Sequence, residues 1–368
     1  MQLTSQRITD FLALEALRSD WQALSARTPE NTDFFATWDY TWAYLNGHRP
    51  ANWQVVTIRD SDSDSDGGAL VAVFPLQVFQ IEHQGQVFRA CQPLGVGYLP
   101  YIEFPINSAV RRDVLQVLLN TVLQKELNLD VALFWPLHQA SPLYLTLLED
   151  LGRSEALKTL RVPGNLHEIE TRGRDLAAHR QACSIKSFKD AAYKARKLAR
   201  QGALRFTLSE PAANLRPLMH TLCQQNLRKF GDQHACRHLP KWSAYLPELA
   251  VALAGSGLSQ LSTLRLDGAV VASVLSFVHK QRRSLYLIDY DPQFVRYSPS
   301  KILLAKLIEQ TFADGGMFCF GAGSSAYKRD WGPAVGELKA VQVFFSSTAR
   351  AALHEQLDLR GLNSLGGV

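Results

Sequence analysis

Between residues 110 and 127 the apolar side chains Val114, Leu115, Leu118, Leu119, Val122 and Leu123 recur three and four apart. That spacing gathers them on one side of an α-helix. A few residues later Val131-Ala-Leu-Phe-Trp is continuously apolar, as expected of a strand covered on both faces. Upstream, residues 11–24 and an aromatic-rich stretch through Phe34, Phe35, Trp38, Tyr40, Trp42 and Tyr44 read as helices. Residues 54–59, 69–79 and 101–104 read as strands, with a hairpin near Gly85. The order β-α-α-β-β-β-α-β is mixed α/β with a largely antiparallel start, without the regular alternation of a doubly wound sheet.

The same order returns about 200 residues on. Residues 204–208 read as a strand, 212–230 and 242–253 as helices, and 258–265 with 270–279 as a hairpin across Asp267-Gly268, a strong turn signal. Next come a strand at 284–289, a long helix at 302–312 and a buried strand at 317–320. A strand at 338–345 and a helix at 348–359 close the chain. The segment Gly68-Ala-Leu-Val-Ala-Val recurs as Gly268-Ala-Val-Val-Ala-Ser, each copy behind a strand-like run. Self-similarity of this kind predicts one α/β unit built twice. The polar stretch Thr171-Arg-Gly-Arg-Asp places the boundary near 170, giving domains 1–170 and 171–368.

Composition adds limits. The chain has 368 residues and a formal charge of +5, which suits an anionic ligand but is too mild to argue for DNA. No apolar run approaches the roughly 20 residues of a membrane span. The first residues lack the basic-then-apolar pattern of a secretory signal. Five scattered cysteines without a CxxC pair suit a reduced, cytoplasmic chain. The acidic run from Asp62 to Asp66 lacks the ligand spacing of a calcium loop. His234, Cys236 and His238, with Cys223 upstream, match no closed zinc site; no metal is expected. Nucleophile-elbow, Walker and HExxH patterns are missing as well.

One stretch carries candidate chemistry. In Arg296-Tyr-Ser-Pro-Ser-Lys, Ser298 is suited to cap a helix opened by Pro299. The N–H groups of its first turn, with Ser300 and Lys301, would then form an anion site at the positive end of the helix dipole. Gly321 and Gly323, after the second buried strand, permit a tight exit and close backbone approach. The basic helix bearing Lys186, Lys189, Lys194 and Lys197 reads as a solvated face, or as a holder of a phosphorylated or acidic acceptor.

Together, Tyr290-Asp-Pro-Gln-Phe, Tyr297-Ser-Pro-Ser, Gly315-Gly, Phe320-Gly-Ala-Gly and Tyr327-Lys-Arg-Asp-Trp resemble the CelD-like branch of the GNAT acyltransferase superfamily. The tandem layout is also similar to the Fem-type aminoacyltransferases. The resemblance implies two GNAT-like units, the first degenerate and the second carrying the acyl-donor site. It implies acetyl-CoA or another acyl-CoA as donor and an amino or hydroxyl acceptor on a sugar or related exopolysaccharide or cell-envelope molecule. Arg296, Tyr297, Ser298, Ser300, Lys301, Gly321, Gly323 and Lys328 would bind the donor. Asp289 would be the base and Tyr327 the acid for the leaving sulfur. The helix start departs from the superfamily's glycine-rich phosphate loop at Pro299 and Lys301. A Fem-like enzyme using aminoacyl-tRNA on a peptidoglycan precursor therefore stays open, as does a non-catalytic binding protein of the same fold.

Overall fold

The computed structural model describes residues 2–63, 68–96, 100–230, 239–323 and 325–355. The acidic run beyond Ser63, the His234–His238 segment and the chain after residue 355 lie outside them. The chain forms two compact units, Met1–Gly164 with Gly336–Val368, and Asn165–Val335.

The first unit contains β1 (Leu3–Ile8), α1 (Phe11–Ala16), α2 (Arg18–Arg27), α3 (Trp38–His48), β2 (Trp53–Asp60), β3 (Ala69–His83) and β4 (Gln86–Pro93). After these come α4 (Arg111–Gln116), running on as a wider π-helical segment through Val117–Glu126, then β5 (Val131–His138) and α5 (Pro142–Leu151). The strand β6 (Leu157–Glu170) leads the chain into the second unit. There follow α6 (Leu176–Ala182), α7 (Phe188–Ala199), β7 (Leu204–Thr207), α8 (Ala212–Phe230), α9 (Leu239–Ala254), β8 (Ser259–Leu266), β9 (Ala269–His279) and β10 (Arg282–Tyr290). The unit ends with α10 (Pro299–Asp314), β11 (Met317–Cys319) and the start of β12 (Ala334–Phe344). The chain then returns to the first unit through the rest of β12 and α11 (Ser347–Leu353).

Strand order is β1-β2-β3-β4-β5-β12 in the first unit and β6-β11-β10-β9-β8-β7 in the second. The mixed α/β architecture and the doubled element order agree with the sequence. Three expectations change. The last strand, assigned by sequence to the second unit, pairs antiparallel with β5 from Leu338↔His138 to Phe344↔Val131. With α11 it therefore belongs to the first unit, and the boundary falls at Gly164. A pairing between segments 200 residues apart leaves no local trace. Residues 101–104 form no strand; only an isolated bridge, Ile102↔Leu137, remains. The strand β6 and the helices α5 and α6 went unread.

The core of the second unit explains why α10 looks apolar on every side. Ile302, Leu303, Leu304, Leu307 and Ile308 are all buried, as in a helix covered all round. Val271 and Val274 of β9 and Leu264 of β8 share one cluster with them, as do Phe188, Ala191 and Leu198 of α7. Each such large side chain contributes about 1.5–3 kcal/mol when fully buried. Helix α10 ends at Gly315, in the left-handed region at φ 67°, the usual stop for a helix. A Cβ on the next residue, Gly316, would lie 1.9 Å from the Gln281 carbonyl oxygen, so the chain passes close under β10 only with glycine there.

Candidate active site

The site begins where two strands part. In the second unit β10 and β11 pair in parallel from Arg282↔Met317 to Ser284↔Cys319. Beyond Ser284 the pairing with β9 continues, with a bulge between Leu285 and Leu287, while β11 has ended. Gly321, at φ 70°, turns the chain away. A Cβ there would stand 3.3 Å from the Leu285 carbonyl oxygen, so the turn is made hard against β10. The edge of β10 thus loses its strand partner where α10 begins.

A pocket of about 320 Å³ opens at this fork. Ile288 and Tyr290 of β10 form one wall, Val295 and Ser298 line it from the connection before α10, and Ser300, Lys301 and Leu304 from α10 itself. Tyr327, Asp330 and Trp331 close the far side, and Lys229 reaches in from the end of α8. The 3₁₀ turn Ala326–Trp331 is pinned at both ends. Trp331 is buried edge-on against Phe188 of α7, centroids 5.1 Å apart. Lys328 Nζ donates to the carbonyls of Gly321 and Ala322 at 3.1 and 2.7 Å. His167 Nε2 lies 3.1 Å from the Gly323 carbonyl oxygen. Three consecutive carbonyls of the strand exit are therefore held by side chains, which fixes Tyr327 at the pocket.

The structure brings Ser298, Ser300, Lys301 and Tyr327 together at this pocket, and gives several of the residues named from the sequence surroundings other than those expected. Ser298 makes no side-chain cap; it sits in the left-handed region at φ 47°. A capping hydroxyl needs extended backbone, and here the residue lines the pocket instead. Its carbonyl accepts from the N–H groups of both Lys301 and Ile302. Since Pro299 has no N–H, the helix start leaves chiefly the Ser300 N–H for a ligand. Lys301 is committed to Asp190 of α7 at 2.6 Å. Arg296 is exposed, its guanidinium 4.7 Å from the ring centre of the buried Tyr297. Gly321 and Gly323 shape the strand exit rather than line the pocket. Lys328, expected to bind the donor, is turned inward and 4% exposed; burial pushes its ammonium down to about 8.

Asp289 lies on β10 between two pocket residues, and alternate strand side chains face opposite ways. It is buried on the α8 side, where Lys229 Nζ stands 3.7 Å from its Oδ1. Its Oδ2 has no hydrogen-bond partner among the described residues. Sequence reasoning passed over Lys229, since a cation in a helix's last turn reads as dipole compensation. In the structure it links the Tyr290 ring, 4.9 Å away, to Asp289. Tyr327 is 40% exposed, yet desolvation at the pocket raises its phenol above the ordinary value. The basic helix α7 contributes nothing to the lining. Lys194 Nζ donates to the Arg296 carbonyl at 2.8 Å, while Lys186, Lys189 and Lys197 face solvent.

This geometry meets a matching family model. Residues 186–329 match the acetyltransferase (GNAT) domain. The match lies within the second unit, spans less than half of the chain, and supports a GNAT-type acyltransferase. No curated protein matches the chain significantly. Among solved structures, FemX is similar at 10% identity and TM-score 0.62, covering 94% of this chain and 99% of that one. The C-terminal domain of a protein assigned as a lysylphosphatidylglycerol synthetase from Agrobacterium fabrum is similar at 13% identity and TM-score 0.54, covering 92% and 94%. A tandem GNAT protein from the clavulanic acid pathway is similar at 9% identity and TM-score 0.51, covering 94% and 99%. At these identities the likeness is one of fold, and the fold is that of tandem GNAT proteins. The CelD-like branch has no separate support. Among the described residues no helix is long and apolar enough to cross a membrane.

Proposed function

We propose that the second unit moves an acyl group from an acyl-CoA thioester to an amino or hydroxyl group of a sugar or related cell-envelope precursor. The first unit is a degenerate partner without a donor site. The observation that carries this reading is the fork itself. Strands β10 and β11 separate after Ser284↔Cys319, and the gap holds a pocket with an apolar wall, a helix start and a phenol.

Ile288, Val295 and Leu304 suit the aliphatic part of the donor, while the Ser300 N–H and hydroxyl face its anionic part at the positive helix end. The acceptor approaches on the α8 side and gives its proton to Asp289, directly or through water. Its lone pair then forms the bond to the thioester carbonyl carbon. The carbon–sulfur bond breaks, and the thiolate takes a proton from Tyr327. A tyrosine phenol is ordinarily protonated at neutral pH, and desolvation at the pocket shifts Tyr327 further that way, the state a general acid needs. Lys229 holds the Asp289 carboxylate in place. The thin set of free N–H groups at Pro299–Lys301 favours a second reading, a Fem-like transfer from aminoacyl-tRNA.

Thermal unfolding with acetyl-CoA, longer acyl-CoAs and free coenzyme A tests the donor. Native-state binding at a hundredfold excess over Kd stabilises by about 2.7 kcal/mol. A raised midpoint with acyl-CoA, lost in Ser300→Glu, supports the reading. No shift with any of them overturns it in favour of charged tRNA or a non-catalytic role.

A further inference from the structure

Helix α7 has two unlike faces. Phe188, Ala191 and Leu198 are buried against the core of the second unit. Lys189, Tyr193, Arg196, Lys197 and Arg200 recur on the outward face, with Ile185 and Lys186 just before the helix, and all are exposed. Its single acid, Asp190, is taken by Lys301. None of Lys186, Lys189, Arg196, Lys197 and Arg200 forms an ion pair with another described residue. Unneutralised cations at this density make a local positive field well beyond what the overall charge suggests.

The apolar side chains among them decide what that field is for. Ile185 is 70% exposed, Tyr193 55% and Val295 57%. Val295 also lines the pocket, and the Lys194 bond to the Arg296 carbonyl ties α7 to that rim. Phosphates of a nucleic acid would satisfy the cations but offer nothing to an open isoleucine and valine. The surface of a lipid bilayer satisfies both: anionic headgroups draw Lys and Arg, and aliphatic and tyrosyl side chains settle into the headgroup boundary.

We propose that the outward face of α7, with Ile185 and the Val295 rim, docks the second unit on an anionic lipid bilayer surface. Docking itself does not depend on the acyl donor. Its consequence, that the pocket takes an acceptor carried in the headgroup layer, rests on the acyltransferase reading.

Co-sedimentation of the full chain with vesicles tests this. Vesicles of phosphatidylcholine containing phosphatidylglycerol should retain the protein at low salt and release it as salt screens the charges; pure phosphatidylcholine should not retain it. The triple variant Lys189→Glu, Lys197→Glu, Arg200→Glu, all at exposed positions, should cut binding at least roughly tenfold. Ile185→Ala, which leaves every charge in place, should cut it about two- to threefold. Equal binding to both vesicle types, a triple variant that binds like the parent while keeping its thermal midpoint, or retention by tRNA alone would overturn the proposal. Acyl-CoA thermal shifts on the same samples keep the two readings apart. Vesicle binding without an acyl-CoA shift overturns only the donor, and the reverse overturns only the docking surface.

Discussion

Both units part their central strands in the same place and then treat the gap in opposite ways. In the first, β4 and β5 pair in parallel only at Ala90↔Val131 and Cys91↔Ala132, much as β10 and β11 do in the second. There the chain itself fills the opening. Ile102 N–H donates to the Pro136 carbonyl at 2.7 Å, Val73 N–H to Pro105 at 3.1 Å, and Asn107 N–H to Val71 at 2.8 Å. Phe104 is buried between Phe74 and Phe134, with centroids 5.1 and 6.4 Å apart. In the second unit the shorter connection from Tyr290 to α10 stays at the rim and leaves a pocket of about 320 Å³. On the reading proposed above, a repeated fold does not repeat a site, and what the loop after the central strand occupies is what distinguishes the two forks.

The largest expected effect breaks the filled fork. Phe104→Ala should cost about 3–5 kcal/mol in denaturant unfolding while the folded protein binds acyl-CoA as before. A loss below about 1 kcal/mol would mean the segment is not packed as a plug. Next is the open fork. Asp289→Asn should lower kcat roughly a hundred- to thousandfold with donor affinity kept, and Tyr327→Phe should act in the same sense but less. Single-turnover kinetics beside a binding measurement separates the two quantities.

The third effect probes the strand exit. With its folded value about 8 against an ordinary 10.5, Lys328 binds fewer protons in the native state than in the unfolded chain between those pH values. Stability from this group therefore rises with pH through that window, by up to about 1.4 kcal/mol per pH unit. The stability difference between parent and Lys328→Met should shift toward the parent from pH 8 to 10.5; a constant difference would remove the buried cation from the account. The smallest effect concerns the tie between α7 and α10. The Lys301–Asp190 pair is partly exposed, so Asp190→Asn should cost no more than about 1 kcal/mol.

The sequence carried the fold further than the site. Asp267-Gly268 announced the β8–β9 turn, and Pro299 the start of α10, because turns and helix starts are set by neighbouring residues. Ser298 and Ser300 stand at the helix start that Pro299 marks, whereas Tyr327 was named through the family resemblance; all three line the pocket. What stayed hidden is tertiary. Lys229 reaches Asp289 from a helix some 60 residues upstream. Lys301 is neutralised by a residue of α7, and Lys328 turns inward because the carbonyls of the strand exit are nearer than solvent. The left-handed backbone at Ser298, on which its lost cap depends, has no signature in a Ser-Pro pair.

Hydrogen exchange of the full chain with and without a saturating acyl-CoA tests the contrast between the two forks most directly. Added protection should fall on residues 286–290, 298–304 and 326–331 of the second unit, with residues 100–107 unchanged. Protection centred on residues 100–107 would place the donor in the first unit and contradict the account.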